Sequence, residues 1–156
     1  MEDYSLEAEK MVQEQLVARG IRDQRVLNAF RAVPRHRFVD SSLTDKAYGD
    51  YPLPIGENQT ISQPYIVALM LEAMELRGPE KVLEIGTGSG YMTALLCLLA
   101  EGVYTIERVQ SLADTARWRL KELGYNNAFI RVGDGTLGWE EESPFDAIVV
   151  SAGSPE

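Results

Sequence analysis

The apolar positions change period once along this chain, near residue 77, and the change separates a helical first part from an alternating second part. In the first part Ala8, Met11, Val12, Leu16 and Val17 fall on one stripe, which predicts an amphipathic helix over residues 5–19 that ends at Gly20 in the C′ position. Asp23 is placed to cap a second helix, with Val26, Leu27 and Phe30 facing inward and Pro34 stopping it. Residues 40–63 lose all periodicity. Tyr48, Gly49, Tyr51, Pro52, Pro54 and Gly56 punctuate a polar stretch that reads as one long loop. Irregular stretches longer than about 12–15 residues inside a domain usually bind or cover something, and the aromatic content here argues against a linker. Pro64 then suits the first turn of a helix on which Ile66, Val67, Leu69, Met70, Met74 and Leu76 form a wide apolar face.

After Arg77-Gly78-Pro79 the pattern predicts strands over 81–85, 102–107, 128–132 and 145–151, with helices over 89–100 and 110–123. Alternation of this kind is α/β: a parallel sheet wound by right-handed crossovers, with any ligand outside the carboxyl ends of the strands. Residues 147–150 have the unbroken apolar run of a buried parallel strand, and Asp146 falls at its start, away from such a site.

The stretch Val82-Leu83-Glu84-Ile85-Gly86-Thr87-Gly88-Ser89-Gly90-Tyr91 runs from a strand through three glycines into a helix. Glycines there let the backbone turn sharply and let a ligand approach with no Cβ in the way. A dinucleotide loop needs its third small residue at position 91, where Tyr91 stands, so the spacing disfavours NAD. Gly-x-Gly-x-Gly after an acidic strand end is instead the pattern of S-adenosylmethionine-dependent methyltransferases; a turn without a ligand is the plain alternative. Glu107 ends the next strand, 21 residues after Gly86, where a carboxylate can take both hydroxyls of a ribose. Arg108 follows it, so a surface ion pair at a helix entry is the other reading. Gly133-Asp134-Gly135 ends the third strand; Asp-Gly is a common turn pair, and only its position makes adenine recognition a candidate role. Ser62 reads locally as a cap for the helix that begins near Pro64.

Composition narrows the classes. With 156 residues and 45% hydrophobic content the chain has enough apolar material for one core. A net charge of -9 and a pI near 4.7 argue against a nucleic-acid partner. The single cysteine, Cys97, lies in an apolar helical stretch and reads as core; with one histidine, His36, there is no basis for a metal cluster or a Ser-His nucleophile, and His36 reads as structural or surface. The start Met1-Glu2-Asp3-Tyr4 lacks the regions of a signal peptide and the longest apolar run, 94–100, is too short for a bilayer, so a cytoplasmic protein without membrane contact is expected.

Taken together, Gln59-Thr60-Ile61-Ser62-Gln63-Pro64, the glycine turn, Gly133-Asp134-Gly135 and Pro144-Phe145-Asp146-Ala147-Ile148-Val149-Val150 resemble the protein-L-isoaspartate O-methyltransferases, especially the bacterial type. Thr-Ile-Ser-x-Pro is the specific part, and Tyr65 follows the Pro where animal members carry His. The resemblance implies a class I S-adenosylmethionine-dependent methyltransferase fold, a Rossmann-like three-layer sandwich with an N-terminal helical extension. Residues 1–63 would hold the helices and a substrate-side loop and 64–156 the cofactor-binding portion, within a single domain. It implies Ser62 as the active-site serine, and Gln59, Thr60, Ile61 and Ser62 itself beside the cofactor. Glu84, Gly86, Gly88 and Gly90 would hold the methionine end, Glu107 the ribose, and Asp134 with Gly135 the adenine side. The implied reaction moves a methyl group from S-adenosylmethionine to the α-carboxyl of L-isoaspartyl residues in damaged peptides and proteins, leaving S-adenosylhomocysteine and beginning their repair. The family continues beyond the fourth strand, so a C-terminally truncated member, sheet incomplete after that strand, is expected; a catalytically silent fragment is the alternative. In a strand order 3-2-1-4 the run 147–150 becomes an exposed edge, where self-association is expected.

Overall fold

The computed structural model describes residues 3–151. The first apolar stripe becomes α1 (Ser5–Met11), continued by a π-helical turn, Val12–Leu16, and a 3₁₀ turn, Val17–Arg19. Gly20, at φ 99, then turns the chain out, and Ile21 N donates back to Leu16 O at 3.0 Å. Helix α2 (Gln24–Ala32) starts at Asp23, whose side chain accepts from Arg25 N at 3.0 Å, and Val26, Leu27 and Phe30 are buried as expected. His36 lies in a short 3₁₀ helix, Arg35–Phe38, where its ring stacks on Tyr4 and its Nδ1 shares a 2.9 Å hydrogen bond with the Tyr48 hydroxyl. Its role in the described residues is structural.

Residues 40–63 are not one irregular loop. A 3₁₀ helix, Ser41–Lys46, is capped by Asp40, and β1 (Leu53–Gly56) pairs antiparallel with β2 (Gln59–Ile61). Glu57 and Asn58 form the two-residue connection, both at positive φ (55 and 57), the conformation a tight hairpin needs. Pro54 is tolerated because a two-stranded ribbon is all edge. Leu53 and Ile61 point inward and bury.

Helix α3 (Pro64–Met74) begins with its proline in the first turn. Its buried face is Pro64, Val67, Ala68 and Leu71, whereas Ile66 and Leu69, expected on the apolar face, are exposed. The Glu72 carboxylate accepts from Arg22 N at 2.7 Å and Asp23 N at 2.9 Å, fastening α3 to the start of α2. The chain accordingly divides into two compact units after Glu75, later than the division at residue 63 that the sequence suggested. Residues 64–74 group with the N-terminal helices because their buried side packs there.

In the second unit, β3 (Lys81–Ile85), α4 (Tyr91–Leu99), β4 (Gly102–Glu107), α5 (Gln110–Glu122), β5 (Ala128–Val132) and β6 (Ala147–Val150) follow in order. All neighbours are parallel and the sheet order is β5-β4-β3-β6, the expected 3-2-1-4. Helix α4 is buried nearly all round, hence its continuous apolar sequence. Tyr104 stacks with Phe129 at 5.0 Å and meets the edges of Trp139 and Phe145, which the β5-to-β6 connection brings across the sheet. Asp146 lies at the foot of β6, where its carboxylate accepts from Lys81 N at 2.8 Å, at the end opposite the glycines. The fourth strand is shorter than 145–151 and, among the described residues, pairs on one side only; Ile148 is 62% and Val150 58% exposed. The sequence reading of the last five residues, 152–156, lies outside the described residues. Among those described, no helix is long and apolar enough to cross a membrane.

Candidate functional site

The chain direction across the sheet reverses at β3, where β4 lies on one side and β6 on the other, and the crevice outside the carboxyl ends of such a pair is where open α/β sheets take ligands. The glycine turn stands at that point. Gly86 N continues the ladder by donating to Ile106 O at 2.8 Å, and the chain then folds back with Gly86, Gly88 and Gly90 at φ 93, 56 and 92. Side chains with a Cβ rarely adopt such values, so this turn requires glycine and leaves its backbone bare. Helix α4 starts directly after it, and Tyr91 N, the first N–H of the helix, donates to Ser89 Oγ at 3.2 Å.

Glu107 is 6% exposed and clasps the turn: Oε1 accepts from Gly88 N at 2.9 Å and Oε2 from Val109 N at 3.0 Å. The surface ion pair with Arg108 is not what the structure builds. Each carboxylate oxygen has two acceptor positions and spends one on these contacts, so each retains one for a hydroxyl. Asp134 caps a 3₁₀ turn, Gly135–Leu137, taking Thr136 N at 2.9 Å and Thr136 Oγ1 at 2.7 Å, bonds that hold its carboxyl below the usual carboxylate range. Gly135 comes down on the end of β3 so closely that a Cβ there would lie 2.4 Å from Ile85 Cγ2. Gly86, Gly88, Gly90, Glu107, Asp134 and Gly135 are therefore brought to one end of one sheet.

Glu84 differs from its expected place. Its carboxylate is fully buried beneath the turn: Oε1 accepts from the hydroxyls of Thr93 and, at 2.8 Å, Thr105, and Ser151 Oγ lies 2.9 Å from Oε2. Ser151 Oγ is also 2.8 Å from Gly86 O, and Thr87 Oγ1 is 2.6 Å from Thr105 Oγ1. Burial pushes the Glu84 carboxyl up to about 7, opposed by these three hydroxyls and assisted by the charge of Glu107. The hydroxyl set was not singled out in the sequence; the available signal was Thr93 and Thr105 standing among apolar neighbours.

Gln59, Thr60, Ile61 and Ser62 belong to the first unit, on β2 and the turn into α3. Ser62 does not cap α3. Pro64 is the first helical residue, the cap position falls on Gln63, and the hydroxyl of Ser62 has no hydrogen-bond partner among the described residues.

A half-engaged, buried carboxylate suits a ribose diol, and the Cβ-free turn suits a ligand pressed against backbone, so these residues fit the cofactor that the motif implies. Sheet order, glycine turn and acidic strand end together define a class I S-adenosylmethionine-dependent methyltransferase fold. The family model described as Protein-L-isoaspartate(D-aspartate) O-methyltransferase matches residues 6–156. A protein-L-isoaspartate O-methyltransferase of Syntrophus aciditrophicus is 59% identical over all of this chain and 72% of its own length, and one of Syntrophobacter fumaroxidans is 58% identical over all of this chain and 73% of its own. Among solved structures, a protein-L-isoaspartate O-methyltransferase superposes with a TM-score of 0.84 at 31% identity, covering 92% of this chain and 47% of that one. A Plasmodium falciparum structure of the same description, in complex with S-adenosyl-L-homocysteine, gives 0.79 at 26% identity, over all of this chain and 76% of that one. The chain belongs to the protein-L-isoaspartate O-methyltransferase family.

Proposed function

We propose that this chain transfers a methyl group from S-adenosylmethionine to the α-carboxyl of L-isoaspartyl residues in damaged proteins and peptides, with Ser62 orienting the acceptor. The observation that carries the reading is the Glu107 carboxylate clasping Gly88 at the point where the sheet reverses, in a chain of this family. Glu107 would hold the ribose hydroxyls, the backbone of residues 86–90 the methionine end, and Asp134 with Gly135 the adenine side, while Glu84 supports the turn from beneath. Gln59, Thr60 and Ile61 are assigned to the cofactor on the family motif they belong to. When bound, S-adenosylmethionine supplies an electrophilic methyl group on a sulfonium that departs as a neutral thioether. An acceptor carboxyl with a pKa of roughly 4 is already ionised near pH 7, so the chain needs no general base, in keeping with a site without a catalytic His or Cys. What the chain's residues contribute is orientation and exclusion of water.

The uncommitted hydroxyl of Ser62 supports its role as the orienting donor. Ser62→Ala is expected to lower turnover of an isoaspartyl peptide about tenfold while leaving S-adenosylhomocysteine affinity unchanged; full turnover in steady-state assays would remove Ser62 from the site. Two wider expectations go with this reading. The open edge of β6, with Ile148 and Val150 exposed, supports pairing with a second copy, and the charge of -9 supports protein rather than nucleic acid as acceptor. The single cysteine, Cys97, is buried and free, and a chain with one cysteine forms no intrachain disulfide, which supports a reducing compartment such as the cytoplasm.

A further inference from the structure

Arg35 is the largest side chain buried completely in the described residues, and two of its hydrogen bonds go to backbone carbonyls that lie far apart in the sequence. Nε donates to Ala47 O at 2.6 Å and Nη2 to Ser62 O at 2.9 Å. Ala47 closes the 3₁₀ helix Ser41–Lys46, and Ser62 follows β2 immediately before the cap of α3. One guanidinium thus joins both ends of the segment 47–62, which carries the whole β1–β2 hairpin.

We infer that Arg35 is a positioning residue for Ser62: by holding the Ser62 carbonyl it fixes the Cα–Cβ direction, and so the place of the Ser62 hydroxyl, which has no protein partner among the described residues. The inference rests on the proposed role of Ser62. Three features of the chain make the clamp effective. The guanidinium stays charged at every working pH, so it never ceases to donate. Its planar fork is rigid and reaches two acceptors at once, which an ammonium on a flexible stem does not reproduce. The Ser62 side chain makes no bond of its own among the described residues, and β2 is only three residues long, so the backbone carbonyl is where its position is set. A displacement of about 1 Å at an orienting group costs up to about 100-fold in rate.

The test is a double-mutant cycle between Arg35→Lys and Ser62→Ala, with kcat and KM for an isoaspartyl peptide, S-adenosylhomocysteine affinity by calorimetry, and thermal melting measured for every variant. Arg35→Lys is expected to stay folded, to bind S-adenosylhomocysteine within twofold of the parent, and to lose about tenfold in kcat; in the Ser62→Ala background the same change is expected to cost nothing further. If Arg35→Lys melts too low to assay, Arg35→Ala with added ethylguanidinium replaces it, and kcat is expected to recover with the added cation in the Ser62 background only. Additive losses in the cycle, or an unchanged kcat in a folded Arg35→Lys protein, would overturn the inference while leaving Ser62 in place. Full turnover by Ser62→Ala would overturn the Ser62 role and this inference with it.

Discussion

Glu107→Ala is expected to weaken S-adenosylhomocysteine binding about 100-fold, read by isothermal titration at a temperature where the variant is folded. The carboxylate is assigned two ribose hydroxyls as charge-assisted bonds; each such bond is worth roughly 1.5–3 kcal/mol, and partial replacement by water leaves a net loss of about 3 kcal/mol. The same substitution releases Gly88 N and Val109 N, so the turn loses its clasp and the melting temperature is expected to fall as well. Glu107→Gln separates the two effects. Its amide nitrogen cannot accept from either N–H, so it keeps one tether and one acceptor, and an intermediate loss of affinity is expected. An affinity within twofold of the parent for Glu107→Ala would show that the ribose is held elsewhere.

Glu84→Gln is expected to stabilise the protein at pH 8 and to leave it nearly unchanged at pH 5. The unfolded chain gives up the Glu84 proton near the ordinary value of 4.5, whereas the folded chain keeps it to about 7. Stability from this group is therefore complete below about pH 4.5 and is lost as pH rises through 7, a loss on the order of 3 kcal/mol. The geometry shows how the proton is used. Ser151 has one hydroxyl proton and two acceptors, Glu84 Oε2 and Gly86 O. A protonated Glu84 donates to Ser151 Oγ and frees that hydroxyl for Gly86 O, and a glutamine amide does the same at every pH. Subtracting the variant's melting-temperature profile from the parent's isolates this group from the other carboxylates. A constant offset between pH 5 and 8 would mean that Glu84 titrates normally.

The sequence was most legible where structure is set locally. The caps at Asp23 and Gly20, the strands ending at Ile85 and Glu107, and the order of the sheet follow from period, turn chemistry and handedness. The hairpin at residues 53–61 was hidden because Pro54 and Gly56 suppress the alternation of β1, and Glu57-Asn58 is an uncommon pair for a tight turn. Ser62 was misread as a cap although Pro64 in the first helical position already placed the cap at Gln63. Arg35 and Glu84 were illegible for one reason: pattern assigns charges to surface or ligand, and only the folded chain reveals the partners that let these two be buried. Within the candidate site, Gly86, Gly88, Gly90, Glu107, Asp134 and Gly135, singled out in the sequence, come to one end of the sheet, whereas the support beneath and around them was not readable.

The most direct test compares two peptides that differ only in whether one aspartyl residue is linked through its α- or its β-carboxyl, each incubated with the chain and methyl-labelled S-adenosylmethionine. Label is predicted on the isoaspartyl peptide, as a base-labile ester, and not on its aspartyl twin. Equal labelling of both, or none from protein that binds S-adenosylhomocysteine, would contradict the account.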